Sequence, residues 1–224
     1  MNSAGGKDRL VLLFPALSEA DARIALSVYR LLAGNDDVHA TSIASASGEP
    51  EAHVRYLLDE WPGVFRGTDG EIVGFWGLAR PEMAYEVHIG RYRRYAWCAW
   101  DTLFIPELLD TEVRVEAKTG VEQRPVRLAV SPSEAEIMTG DISGLFVSFN
   151  VPDDEGWEQN VVSSFCHHVH FLMAGEVEPW LDQNPGGFVL TLTEAFEAGK
   201  GKNVHQFGSL LDESDNQQAV VGGR

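Results

Sequence analysis

Tyr85-Glu86-Val87-His88-Ile89 alternates apolar and polar residues at period two, and the fold turns on this stretch. Alternation at that period marks a strand with one buried face. Similar short runs follow at Thr111 to Ala117, Val126 to Val130, Leu145 to Phe149 and Phe188 to Leu192, with helical stretches at Tyr95 to Leu109 and after Thr193. Residues 84–211 therefore predict an α+β unit with a mostly antiparallel sheet.

Upstream of residue 84 the period is helical. Ser18 and Asp21 resemble a capping box, after which Ile24, Val28, Leu31 and Leu32 share one face until Gly34-Asn35 stops the pattern. A short helix from Thr41 through Ala46 follows, and Ser47-Gly48-Glu49-Pro50 turns the chain into a third with Val54, Leu57, Leu58 and Trp61 on one face. Val64-Phe65 and Ile72-Val73 then flank Gly67-Thr68-Asp69-Gly70, a hairpin signal. Three helices and a hairpin give residues 1–83 a winged-helix-like pattern. Residues 1–9 read as a frayed terminus and 212–224 as a disordered polar tail.

A winged helix often reads DNA, but the charges oppose it. The would-be recognition helix carries Glu49, Glu51, Asp59 and Glu60 against Arg55, and the whole chain has a net charge of −17. Such a surface repels phosphate, so nucleic acid and anionic membranes are excluded as expected partners, and the N-terminal part reads as a structural or lid module. No run of about 18 apolar residues occurs, and no basic segment and cleavage signature surround Leu10 to Leu17, so a cytoplasmic protein is expected. Four of the 17 basic residues are lysines, namely Lys7, Lys118, Lys200 and Lys202, a bias that fits a high-salt or a high-GC host.

Cys98 and Cys166 are the two cysteines. A cytosolic pair this sparse does not make a disulfide framework, and the plain reading of each is a small buried hydrophobe. Their neighbours suggest more. Cys98 precedes Asp101 in Tyr95-Ala96-Trp97-Cys98-Ala99-Trp100-Asp101-Thr102, and on a helix that spacing sets a carboxylate beside a thiol. Cys166 lies in Ser163-Ser164-Phe165-Cys166-His167-His168-Val169-His170-Phe171. In extended conformation Cys166, His168 and His170 would share a face and could ligate zinc or copper, whereas strand-embedded histidines also serve structure through hydrogen bonds.

These blocks, with Val130-Ser131-Pro132-Ser133-Glu134 between them, resemble the signature segments of the organomercurial (alkylmercury) lyases, in that family's order. The resemblance runs from about residue 18 to 211. It implies a lyase that cleaves carbon–mercury bonds by protonolysis, yielding the hydrocarbon and Hg(2+) for mercury detoxification. Cys98 and Cys166 match the family's cysteine pair, Asp101 its proton-handling acid, and Tyr95 and Trp97 positions that shape the substrate pocket. His167 stands where many members have a second cysteine, and no cysteine occurs near Glu116 to Lys118 where many have a further one.

Mercury is soft and thiolate is the softest side-chain ligand. Two thiolates can donate electron density to mercury while a carboxylic acid delivers a proton to carbon, so neither an organic cofactor nor a resident metal is expected. The sequence reading has one cysteine, with Cys98 favoured, capture R–Hg⁺ and Asp101 accept the proton of the other thiol, and the sequence leaves open which thiol acts first. Burial among Trp97, Trp100 and Phe104 would help to hold that carboxyl protonated. By the resemblance, Hg(2+) passes to a mercuric reductase or to small thiols. The alternative is a non-catalytic metal-binding or metal-sensing protein that uses Cys98, Cys166, His168 and His170.

Overall fold

A computed structural model describes residues 3–34, 37–138, 144–152, 160–208 and 210–211; the expected tail at 212–224 lies outside them. Four helices open the chain: α1 (Ser3–Leu12), α2 (Glu19–Gly34), α3 (Ala40–Ser47) and α4 (Glu51–Glu60). Strands β1 (Val64–Arg66), β2 (Ile72–Phe75), β3 (Leu78–Ala79), β4 (Tyr85–Ile89) and β5 (Tyr92–Ala96) lead into α5 (Asp101–Leu109). After β6 (Val113–Lys118), β7 (Pro125–Val130), β8 (Ala135–Ile137) and β9 (Leu145–Phe149) come α6 (Val161–Ser164) and a 3-10 turn at Cys166–His168. The order closes with β10 (Phe171–Met173), α7 (Ala174–Gln183), β11 (Phe188–Thr191) and α8 (Leu192–Phe207).

The chain is α+β, and the strand pairings between described residues are antiparallel. One sheet has the order β1-β2-β3-β5-β4-β6-β7-β8 and a smaller one β10-β9-β11. The hairpin β1–β2 continues through β3 into β5, where Leu78 faces Ala96 and Ala79 faces Tyr95. Strand pairing thus crosses residue 83, and one cluster of buried side chains joins Ile24, Val28 and Leu32 of α2 to Phe75, Trp100 and Phe104.

Local chemistry explains the element boundaries. Ser18 Oγ accepts from the Asp21 N–H (3.2 Å) and opens α2. Gly48, at φ 75°, ends α3 in the left-handed region that glycine enters without steric cost. Thr191 and Glu194 form a reciprocal capping box at the start of α8.

Three readings need correction. Residues 3–12 are helical rather than frayed, because Leu10 is fully buried and α1 lies along α8. The helix expected over Tyr95 to Leu109 starts only at Asp101: Tyr95 and Ala96 pair in β5, and residues 97–100 turn the chain. Cys166 and His168 lie in a 3-10 turn, so the period-two face shared with His170 does not form.

Candidate active site

Asp101 opens α5 directly after the turn that carries Cys98. Its Oδ2 accepts a hydrogen bond from the Cys98 N–H (2.9 Å), and Thr102 Oγ1 donates to the Ala99 carbonyl (2.6 Å). The thiol and carboxylate meet across a strand–turn–helix junction, not along a helix face. Indole Nε1 of Trp100 donates to the Ala195 carbonyl (2.9 Å), pinning this turn to α8.

Cys166 reaches the same place from the other sheet. The Ala99 N–H donates to the Val169 carbonyl (3.3 Å), and the Val169 N–H donates to the Cys166 carbonyl (3.1 Å). Ser148 holds the far side of the segment by accepting from the His170 N–H (2.9 Å) and donating to the His168 carbonyl (3.0 Å). The ligand atoms of Cys98, Asp101 and Cys166 consequently lie within 4.8 Å of one another, the one such cluster of His, Cys, Asp or Glu among the described residues. Both cysteines are free thiols.

The histidines stand apart from this cluster. Nδ1 of His170 lies 3.0 Å from the Tyr85 hydroxyl, and burial lowers its pKa, which favours a neutral ring. The Cys98, Cys166, His168 and His170 ligand set of the alternative reading is therefore not assembled.

Two cavities converge on Cys166. One of about 430 Å³ is bounded by Phe14, Trp76, Gly77, Trp97, Asp101, Phe104, Phe165, Cys166 and Lys202. A second, of about 790 Å³, is bounded by Glu86, Tyr95, Trp97, Glu116, Lys118, Arg127, Cys166 and His167. The expected pocket residues thus separate: Trp97 borders both cavities and Tyr95 the second. Cys98 borders neither and is 0% exposed, against 5% for Cys166.

Burial sets the electrostatics. It pushes the Asp101 carboxyl up to about 7, against hydrogen bonds from Cys98 and the charge of Lys202. Burial also raises the Cys98 thiol well above its ordinary value, and neighbouring Cys166 and Asp101 add to the effect. For Cys166 the hydrogen bond with Cys98 pulls downward, but burial and Asp101 outweigh it, so this thiol is raised as well. These shifts favour protonated thiols and a carboxyl poised to gain or lose a proton near neutrality.

The sequence reading missed two participants. Gly77 has φ 102°, and a Cβ there would lie 2.6 Å from the Asp101 carboxyl carbon, so a side chain would displace the acid. Lys202 is 1% exposed on α8 and borders the smaller cavity with Asp101. Its place on the buried face after Ala195 and Ala198 was the available signal, since a lysine seldom occupies such a slot.

Residues 78–202 match the family described as MerB: Alkylmercury lyase. The chain is 34% identical over 172 residues to an alkylmercury lyase of Bacillus cereus, covering 76% of each protein. It is 29% identical over 202 residues to one of Pseudomonas putida, covering 90% of this chain and 91% of that protein. Among solved structures, the mercury-bound form of MerB2 superposes with a TM-score of 0.69 at 23% identity, covering 89% of this chain and 98% of the other. That last likeness concerns the fold.

Proposed function

The chain belongs to the alkylmercury lyase family, and from that premise we propose that Cys98, Cys166 and Asp101 carry its reaction. It cleaves the carbon–mercury bond of organomercurials by protonolysis, giving the hydrocarbon and Hg(2+). The observation that supports these roles is the convergence of two thiols and one carboxyl within 4.8 Å beside a mostly apolar cavity.

Access orders the steps. Cys166 borders the cavity and Cys98 does not, so Cys166 attacks R–Hg–X first, where X is a halide or thiolate. The sequence left this order open, with Cys98 favoured. A sulfur–mercury bond forms, the mercury–X bond breaks and the thiol proton leaves. Cys98 binds next and gives its proton to Asp101. The carboxylic acid then protonates carbon, R–H departs, and Hg(2+) remains between the two sulfurs. Each thiolate pushes electron density onto mercury and so weakens the bond to carbon.

Trp97 borders both cavities and Tyr95 the wider one, and we assign them to shaping the pocket. The N-terminal helices with the β1–β2 hairpin act as a winged-helix-like lid module up to about residue 83, ahead of the catalytic part at 84–211. Support comes from Leu13, Phe14, Trp61 and Trp76, which bound the smaller cavity. The net charge of −17 argues against nucleic acid as a partner. Among the described residues no helix is long and apolar enough to cross a membrane. A cytoplasmic site and delivery of Hg(2+) to a mercuric reductase or small thiols complete the proposal.

The test is to incubate the protein with phenylmercuric chloride and measure benzene in the headspace. Benzene equal to the mercury bound is expected. A folded protein that binds mercury through both thiols and releases no benzene would overturn the reading.

A further inference from the structure

Proton bookkeeping leaves one thiol proton to be placed. Conversion of R–Hg–X and two thiols into R–H and a bis-thiolate mercury complex frees two thiol protons, of which carbon takes one. The other must leave with X⁻; Cys166 borders the wider, more polar cavity as well as the smaller one, and on the smaller side, walled by Phe14, Trp76, Trp97, Phe104 and Phe165, the basic group it shares the cavity with is Lys202. Asp101 cannot hold both. We infer that Lys202 is the second proton acceptor, a neutral amine that takes the proton of the first thiol and holds it until HX leaves. The inference rests on the lyase reading above.

Geometry carries the assignment. Nζ of Lys202 lies 4.1 Å from the centre of the Phe104 ring, with Phe14 and Phe207 at 5.2 and 5.4 Å. Among the described residues its one hydrogen bond goes to Asn203 Oδ1 at a long 3.3 Å. No carboxylate lies within ion-pair distance of Nζ among the described residues; Glu107 instead accepts from Asn203 Nδ2 (2.7 Å) and neighbours Lys200. A lysine needed only as a structural cation would be expected to have such a partner, since an unpaired buried charge is costly. The charges acting on it are Asp101 and Glu107, both from α5, and burial outweighs them, bringing the amine down to about 7.

In the capture step the Cys166 S–H bond breaks, a sulfur–mercury bond forms, mercury releases X with its bonding electron pair, and the proton becomes an N–H bond on Lys202. The ammonium and X⁻ are then formed together, so net charge in the cavity does not change. Asp101 stays free for the proton of Cys98, and the two protons follow separate routes.

Quenched-flow mass spectrometry with phenylmercuric chloride tests this by timing the loss of the Cys166 thiol across pH. In the wild type, capture should accelerate as pH rises through neutrality. Lys202→Met, which retains much of the apolar bulk, should capture about 10²-fold more slowly at pH 7. It should also lose that limb of the profile. Lys202→Arg should be equally slow, because a guanidinium keeps its proton. Wild-type capture by Lys202→Met, or rescue by Lys202→Arg, would overturn the inference while benzene release by the wild type left the lyase reading intact. Should neither variant fold, the ¹³Cε resonance of Lys202 in the wild type decides: it must titrate near neutrality, and an ammonium signal persisting to about pH 9 would rule the role out.

Discussion

The two halves of the site are built differently. The Cys98 half is a strand–turn–helix junction fixed by the Asp101 carboxylate, the Thr102 hydroxyl and the Trp100 indole, with its sulfur sealed from both cavities. The Cys166 half is a 3-10 turn held by main-chain bonds and Ser148, with Cys166 bordering both cavities. A sealed sulfur suits completion of a complex that has already entered, whereas a sulfur on a cavity wall suits capture. The proposed chemistry uses both, and the fold draws them from different sheets.

The largest expected effects test that division. Cys98→Ser and Cys166→Ser should each reduce benzene release to background, because a hydroxyl is a hard and poorly ionised donor. They should differ in capture. Cys98→Ser should still form a phenylmercury adduct, and Cys166→Ser should form one only slowly; equal capture rates would erase the distinction between the halves.

Next in size is Gly77→Ala, which challenges the rigid half from outside. The left-handed backbone alone costs about 1–2 kcal/mol for a residue with a Cβ. The close approach to Asp101 adds displacement of the acid, so turnover should fall much further than thermal stability. Normal turnover with lowered stability would show that the carboxyl tolerates displacement.

An effect on stability rather than turnover follows from the pKa of Asp101. Its folded-state value, raised from 3.8 to about 7, favours the protonated form in the native protein. That contribution is fully present below about pH 4 and is lost as pH rises to 7. Asp101→Asn should accordingly be more stable than the wild type above neutrality, by at most about 4 kcal/mol, with the gap closing as pH falls. Denaturant melts at pH 8 and pH 4 check this, and a gap that widened on acidification would contradict the assigned sign. The smallest effect concerns the acidic surface: added salt screens repulsion among 34 carboxylates, so the melting temperature should hold or rise slightly.

The α+β class and most strands were legible because alternation and turn chemistry are local. Tyr85–Ile89 and Leu145–Phe149 pair over the residues their patterns indicate. The segment Tyr95 to Leu109 misled because its aromatic and apolar residues suit a buried helix and a buried strand end equally well; pairing of Tyr95 and Ala96 with β3 and β4 decides it. Cys98, Asp101 and Cys166 stood out because they fall in segments that resemble the family's signature blocks; the thiols alone read as small buried hydrophobes, and a carboxyl three residues from one is a weak signal by itself. Gly77 did not stand out, since its significance arises only when the β2–β3 turn closes on α5, and Lys202 left only the mark of a lysine on the buried face of α8. The relative access of the two sulfurs was invisible for the same reason: exposure is a property of the closed cavity and leaves no mark in local sequence.

One measurement addresses the division of labour most directly. Asp101→Ala, mixed with one equivalent of phenylmercuric chloride, should capture the organomercurial and then cleave it about 10²–10⁴-fold more slowly than the wild type. Intact mass spectrometry should find a long-lived adduct that retains the phenyl group, and peptide mapping should place it on Cys166. An adduct on Cys98, or bare mercury on the protein with benzene released at the wild-type rate, would contradict the account.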